Sequence, residues 1–370
     1  MGRIFLRSLR VATAIGLGWL ASCGTSNTNT GGVPGSGTGS DDDSGSENGS
    51  SGAGTGSSGT GSGSASSSGA SHGGTSSSGA HSSGSSSGSH SSGSSGGPAA
   101  DGGHTPPDLP TAAAACPTLT NGEQSFTLSG TAMSWNLWVG SKAATATGPI
   151  VIYWHATGTT YSEAQEALGD NITTITGLGG VVASAVSTST TGTNTGDGVW
   201  YTGDINYADF IIACAIKQLN IDTTHIHAAG YSAGALQTGY MWYARSGYLA
   251  SAIVYSGGVG FPPAIQDPSN APALIGAHGA PGDGGCTSLT ATNCDLLATS
   301  TTDFEAAAKT AGAPIVIDCN DEQNHIYYER LTNLAPVAWQ FFKDHPFGQG
   351  KPDPYANGLP SGFPSYCVIY

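Results

Sequence analysis

The chain has 370 residues, with 10 Lys and Arg against 25 Asp and Glu, and a formal net charge of −15 at pH 7. This acidic balance argues against nucleic acids and other polyanions as partners. The 58 glycines and the low charged fraction of 9% indicate that part of the chain cannot build a packed core.

Residues 1–22 are predicted to be a secretion signal. Three arginines precede an apolar run at 11–20, which is too short to span a membrane. The run ends in Leu20-Ala21-Ser22-Cys23, which resembles the bacterial lipobox; the alternative is an ordinary signal peptide with a chance cysteine. The resemblance implies a lipid on Cys23 that anchors the protein in a membrane. Because Gly24 follows rather than aspartate, it implies the outer membrane or cell surface, with release from the cell as the alternative.

Residues 23–110 are almost wholly Gly, Ser, Thr and Asn, a composition that predicts a disordered tether. As a random coil it would span roughly 50 Å and hold a folded domain away from the lipid. His72, His81 and His90 recur within it at a regular interval. We interpret them as a drifted low-complexity repeat, with a weak metal-binding tract as the alternative.

Residues 111–370 are long enough for one α/β domain. Apolar runs predict strands, and segments with helical spacing alternate with them. The predicted strands are an opening pair at 126–139, then 150–154, 181–186, 226–229, 252–255, 273–277 and 315–317. The predicted helices are 163–168, 204–219, 236–243, 302–310 and a last one from Pro336 to just before Pro346. This alternation predicts a mostly parallel central sheet with helices on both faces.

Gly230-Tyr231-Ser232-Ala233-Gly234 lies between a predicted strand and a predicted helix, which is the context of a nucleophile elbow. The flanking glycines suit a turn too sharp for side chains, and the Ala233 N–H would face a developing oxyanion. The same five-residue pattern occurs at 69–73 and 93–97, but there no strand or helix flanks it. The alternative for Ser232 is a tight glycine turn without chemistry.

The order of these parts resembles the α/β-hydrolases of the secreted polyhydroxybutyrate depolymerase and feruloyl esterase group. The resemblance covers residues 125–346 and rests on four places, which are Tyr153-Trp154-His155-Ala156-Thr157, the elbow, Ala277-His278-Gly279 followed by Asp283, and His325 ahead of the segment 339–346. It implies an α/β-hydrolase fold and a serine esterase.

A serine hydroxyl attacks an ester only when an imidazole takes its proton. His325 follows the strand at 315–317 and is the predicted base, and the order serine, acid, histidine is that of the α/β-hydrolases. The resemblance implies Asp283 as the acid, although this chain has one residue more than the family before it. Asp295 and Asp318 are the alternatives.

The oxyanion hole is predicted to pair the Ala233 N–H with one from Ala156 or Thr157, where the family has glycine after the histidine. Only the direction of a backbone donor matters there. The remaining histidines of the domain are predicted to have structural roles. They are His155, His225, His227, His278 and His345.

Six cysteines follow Cys23, and an even number in an exported chain predicts disulfides. Only Cys286 and Cys294 lie close enough in sequence to suggest a local loop, beside Asp283. The other four are Cys116, Cys214, Cys319 and Cys367. Because no pair has zinc-finger spacing, neither a metal nor a cofactor is predicted.

Together these features predict a lipid-anchored, exported serine esterase that hydrolyses carboxylic esters through an acyl-enzyme. The substrate classes considered are feruloyl or acetyl esters of cell walls, and polyester. Two alternatives remain: a hydrolase fold that binds a ligand without catalysis, and a serine peptidase on the same fold.

Overall fold

The computed structural model describes residues 106–186, 200–259, 262–279, 282–284, 296–325 and 327–370. The predicted signal peptide, the lipidation site Cys23 and nearly all of the tether lie outside these residues. Within the described part of the chain, no helix combines the length and the apolar sequence that crossing a bilayer requires.

Within the residues that the structure describes, nine strands form one sheet. They are β1 Gly122–Leu128, β2 Thr131–Val139, β3 Gly148–Trp154, β4 Val181–Ala185, β5 Ile221–Tyr231, β6 Ser251–Tyr255, β7 Ala273–His278, β8 Val316–Asn320 and β9 Cys367–Ile369. Their order in the sheet is β1-β2-β4-β3-β5-β6-β7-β8-β9. The six strands from β3 to β8 pair in parallel, and β1, β2 and β9 are antiparallel at the edges. The predicted mostly parallel sheet is confirmed.

Six α-helices of the described part of the chain cover the two faces of this sheet. They are α1 Glu163–Leu168, α2 Asn171–Gly177, α3 Ile205–Gln218, α4 Ala233–Ala244, α5 Leu296–Ala311 and α6 Glu329–Asp344. Alternate side chains of β3 point to opposite faces: Ile150 and Ile152 pack in one core with α3, α4 and α5. Val151 and Tyr153 pack in a second core with α1, α2 and α6. A strand buried on both faces explains the unbroken apolar run in its sequence.

The last helix differs from its prediction. It begins at Glu329 rather than at Pro336, which lies in its interior on the exposed side. Proline costs a helix interior about 3 kcal/mol because its N–H is missing. Here the apolar side chains of Leu331, Leu334 and Phe341, buried on one face of the helix, offset that cost. Helix α2 and strand β9 were not predicted.

Among the described residues, two disulfides join distant parts of the chain. Cys116–Cys214 ties the segment before β1 to α3, and Cys319–Cys367 ties β8 to the edge strand β9. The prediction of disulfides is therefore confirmed for four of the six cysteines. Cys286 and Cys294 lie outside the described residues, and their pairing stays a prediction.

The parallel strands end at one edge of the sheet, where side chains from distant parts of the sequence can meet. Ser232 directly follows β5. Asp283 comes after β7, and His325 comes after β8. The fold therefore gathers the three predicted catalytic side chains at the carboxyl edge.

Candidate active site

The turn between β5 and α4 places Ser232 in a strained backbone conformation. Its φ of 55° and ψ of −116° lie outside the regions that ordinary residues prefer. A Cβ added to Gly234 would lie 1.8 Å from the carbonyl oxygen of Trp154, and one added to Gly230 would lie 2.4 Å from the carbonyl oxygen of Gly234. Both glycines are therefore sterically required, and the predicted strand–turn–helix context is confirmed.

A continuous chain of hydrogen bonds joins the three predicted residues. Ser232 Oγ lies 2.9 Å from Nε2 of His325. Nδ1 of His325 lies 2.9 Å from Oδ1 of Asp283, whose side chain is fully buried. Of the two alternative acids, Asp318 contacts His278 instead, at 3.1 Å. Asp295 lies outside the described residues.

The second carboxylate oxygen of Asp283 is also bound. Oδ2 accepts the N–H of Gly279 at 2.8 Å and lies 3.2 Å from Nη1 of Arg330. Burial raises the pKa of Asp283, but the hydrogen bond from His325, the charge of Arg330 and the Gly279 N–H together hold it below its ordinary value. The acid is therefore ionised at neutral pH, as an orienting partner for an imidazole must be.

Arg330 was not predicted as a site residue. Its side chain is fully buried, and it binds Asp321 through two contacts, Nε to Oδ2 at 2.7 Å and Nη2 to Oδ1 at 2.8 Å. It also donates to the hydroxyl of Ser256. Only one other arginine, Arg245, occurs after residue 110, and this scarcity is the signal that could have drawn attention to it.

Tyr231 holds the segment that carries the histidine. Its ring stacks on the ring of His325, with centroids 5.3 Å apart and 20° between the planes. Its hydroxyl donates to the carbonyl oxygen of His325, and Tyr328 packs edge-on against it. The residue before the predicted nucleophile thus fixes the position of the predicted base, a contact that the sequence analysis did not predict.

The oxyanion side of the site differs partly from the prediction. Ala233 is the first residue of α4, where a backbone N–H has no acceptor within the helix. The N–H of Ala156, however, donates to both carboxylate oxygens of Glu163, at 3.1 and 3.3 Å. Because the buried carboxylate already occupies this N–H, Ala156 is not placed to bind an oxyanion. Of the two predicted loop donors, Thr157 stays a prediction.

Glu163 is a second buried carboxylate beside the site, at 1% exposure. It accepts hydrogen bonds from the hydroxyls of Tyr153, at 2.9 Å, and Thr159, at 2.7 Å, in addition to the Ala156 N–H. Burial raises the pKa of Glu163 to about 7, although these hydrogen bonds oppose the change. The sequence showed it only as the first residue of a helix.

The other histidines of the domain lie in structural contacts. His227 bonds Ser251 Oγ at 2.9 Å, stacks on Phe342 and also contacts the ring of His225. His345 lies 3.2 Å from Asp353, and His155 packs against Trp200. None of these contacts involves the hydroxyl of Ser232.

No protein-family model matches the chain, and no curated protein sequence matches it significantly. Solved structures do match it. Native pOPH superposes with a TM-score of 0.52 at 14% identity, over 69% of this chain and 96% of that chain. A pOPH variant in complex with DMSO superposes with a TM-score of 0.50 at 14% identity, over 69% of this chain and 95% of that one. A ferulic acid esterase has a TM-score of 0.42 at 12% identity, over 60% of this chain and 96% of its own. The chain has the α/β-hydrolase fold that the sequence predicted.

Proposed function

We propose that the protein is a serine hydrolase that cleaves carboxylic esters through a covalent acyl-enzyme. The observation that carries this proposal is the unbroken relay of hydrogen bonds from Ser232 through His325 to the buried Asp283. A hydrolase fold that only binds a ligand has no need of an ionised acid, an imidazole and a strained serine in contact. The relay therefore favours an enzyme over the binding lipoprotein.

The first half of the reaction begins with a proton transfer. The Asp283 carboxylate accepts a hydrogen bond from Nδ1–H of His325 and stays ionised, so Nε2 carries no proton and faces Ser232 as the acceptor. As Oγ attacks the ester carbonyl, Nε2 takes its proton, and the new C–O bond converts the carbonyl oxygen into an oxyanion. The N–H of Ala233, in the first turn of α4, is the donor that we propose for that oxygen.

The second half repeats the same chemistry with water. The tetrahedral intermediate breaks its bond to the alcohol, which takes the proton from His325 Nε2 and leaves the acyl group on Ser232. His325 then removes a proton from water, whose oxygen attacks the acyl carbon. Collapse of the second intermediate releases the carboxylic acid, and the proton returns to Ser232.

The finer parts of the proposal rest on the sequence. The basic and apolar N-terminus and the lipobox-like ending support export and a lipid on Cys23. An exported, tethered esterase meets polymeric material outside the cell. Feruloyl or acetyl esters of plant cell walls and bacterial polyesters are the substrate classes that we propose on this ground.

The test combines covalent labelling with an activity panel on the purified full chain. A fluorophosphonate should modify Ser232, and Ser232→Ala should abolish the labelling while the circular dichroism spectrum is unchanged. The panel compares short acyl esters, a feruloyl ester, acetylated xylan and hydroxybutyrate oligomers with a matched amide. Folded wild-type protein that is neither labelled nor active would contradict the proposal, and faster cleavage of the amide would indicate a peptidase.

A further inference from the structure

Three side chains of the types that ligate metals lie together between the sheet and α5. They are His278 at the end of β7, Asp318 in β8 and Glu305 in α5, and their ligand atoms all lie within 4.8 Å of one another. His278 Nε2 is 3.1 Å from Asp318 Oδ1. The proposed hydrolytic chemistry uses none of the three.

The sheet directs these groups toward one another. Gly276 and His278 point to the same face of β7, since side chains alternate along a strand, and Gly276 pairs in register with Asp318 on β8. The preceding pair on this face, Leu274 and Val316, packs in the same core as α5. The three candidate ligands therefore face one another across the layer between sheet and helix.

Gly276 makes the space in which the Glu305 carboxylate lies. A Cβ added at this glycine would lie 1.9 Å from Glu305 Oε1, so any other residue would displace the carboxylate. Backbone dihedrals do not explain the choice, because Gly276 has no positive φ. The absence of a side chain in the middle of β7 leaves room for the acid from α5.

Glu305 is buried without a partner. It is 0% exposed, and within the described part of the chain neither of its carboxylate oxygens has a hydrogen-bond donor. A buried ionised carboxylate is costly unless a proton or a cation compensates its charge. Asp318 brings a second negative charge to the cluster, so a divalent cation would match the two carboxylates.

We propose that His278, Glu305 and Asp318 form a binding site for one divalent transition-metal ion of the zinc type. One imidazole nitrogen and two carboxylate oxygens are a ligand set that Zn²⁺ accepts, with water completing four-coordination. Zinc–ligand bonds of about 2.0–2.1 Å place neighbouring ligands roughly 3.4 Å apart, close to the measured His278–Asp318 distance. Asp318, with 24% of its side chain exposed, gives a path from solvent.

The site is separate from the catalytic relay but connects to it along the chain. Gly279, directly after His278, donates its N–H to Oδ2 of Asp283. A cation held by His278 would therefore fix the end of β7 from which the catalytic acid loop departs. The sequence predicted no metal because the three ligands come from separate elements and have no characteristic spacing.

The experiment is a zinc titration of the purified full chain after treatment with EDTA and dialysis, followed by isothermal calorimetry and by thermal unfolding. We expect one zinc ion per chain. At a free concentration about 100 times Kd, the midpoint of unfolding should rise by about 5–10 °C. Glu305→Gln and Asp318→Asn should each weaken binding by about 100-fold or more, because each removes a ligand rather than an outer partner.

Three controls separate this site from other places where zinc could bind. Asp353→Asn changes another aspartate that pairs with a buried histidine, and it should leave the titration unchanged. His325→Ala removes the catalytic imidazole, and a triple change of His72, His81 and His90 to alanine removes the histidines of the tether. These two variants should also bind one zinc ion with the wild-type affinity.

Two results would overturn the proposal. One is folded wild-type chain that binds no zinc, which would mean that a proton alone neutralises Glu305. The other is zinc binding by Asp318→Asn with the wild-type affinity. This variant tests the site even if Glu305→Gln does not fold. Neither result bears on ester hydrolysis, which is measured separately.

Discussion

Nη1 of Arg330 lies 3.2 Å from Oδ2 of Asp283, the carboxylate oxygen that His325 does not use. Asp283, the proposed catalytic acid, is thus held from two sides, by the imidazole of His325 and by the buried guanidinium of Arg330. The same guanidinium binds Asp321 through two contacts. Two aspartates with buried side chains therefore share one arginine, which holds Asp283 beside His325 and favours its ionised form.

Loss of the Arg330 guanidinium should destabilise the whole domain. Arg330→Gln leaves two buried carboxylates without their charge partner, and we expect the free energy of unfolding to fall by about 3–5 kcal/mol. The measurement is urea denaturation followed by circular dichroism. Arg245→Gln is the matched control, because Arg245 also binds an aspartate, Asp209, but both side chains are partly exposed. Its cost should be about 1 kcal/mol, and equal losses in the two variants would refute the special role of Arg330.

Asp283→Asn should keep the fold but slow hydrolysis. An amide at this position no longer fixes the His325 tautomer or stabilises the imidazolium, so kcat should fall by about 10³–10⁴-fold. Asp170→Asn, on the exposed surface, should hydrolyse a soluble ester at the wild-type rate. If Asp295→Asn abolished turnover while Asp283→Asn did not, the catalytic acid would be the other aspartate.

Glu163 predicts a specific dependence of stability on pH. Its pKa is raised from 4.5 to about 7 in the folded protein, so the folded state holds the proton more tightly than the unfolded state does. This stabilising contribution is complete below about pH 4.5 and is lost as the pH rises through about 7. Between about pH 4.5 and pH 7, the contribution of Glu163 to the free energy of unfolding should fall by about 2–4 kcal/mol.

The comparison of Glu163→Gln with wild type isolates this contribution. The amide keeps an acceptor for the Ala156 N–H but cannot ionise, so the variant should gain about 2–4 kcal/mol relative to wild type between pH 4.5 and pH 7.5. Glu166→Gln, one turn later on the exposed side of α1, is the control. A difference between Glu163→Gln and wild type that does not vary with pH would contradict the raised pKa.

The second glycine of the elbow should tolerate no side chain. Gly234→Ala would place a Cβ 1.8 Å from the Trp154 carbonyl oxygen, so β3 and α4 must separate. We expect the free energy of unfolding to fall by about 3 kcal/mol or more, with activity lost. Gly177→Ala, in α2, has no atom within 4 Å of the added methyl and should be neutral or stabilising by up to about 1 kcal/mol. Similar thermal midpoints for the two variants would contradict the close approach.

The elements predicted correctly are those whose signal is local. The apolar run before Ser232, the glycines that flank it and the helical segment after it predict strand, turn and helix in one short stretch of chain, and the structure reproduces them. The predicted start of α6 at Pro336 was wrong because the preference of proline for the first helical turn is a local signal. The helix continues on both sides of Pro336 because its apolar face packs against the sheet. The short edge strand β9 depends on pairing with β8, which its own sequence does not reveal.

The same distinction applies to the site. Ser232, Asp283 and His325 could be predicted because a known order of motifs connects them. Arg330 and Glu163 could not, because their roles depend on partners that only the tertiary structure supplies: Arg330 reaches across 47 residues to Asp283. The hydrogen bond from the Ala156 N–H to Glu163 likewise depends on the burial of a charged side chain, which the hydrophobic periodicity of the sequence does not predict.

Hydrolysis of a soluble chromogenic ester by Ser232→Ala, His325→Ala and the double variant tests most directly whether the relay acts as one catalytic unit. If it does, each single change should lower kcat by about 10⁴–10⁶-fold, and the double change should cost no more than either alone. Circular dichroism should show all three variants folded. Wild-type turnover by Ser232→Ala, or losses that multiply in the double variant, would contradict a Ser232–His325–Asp283 mechanism.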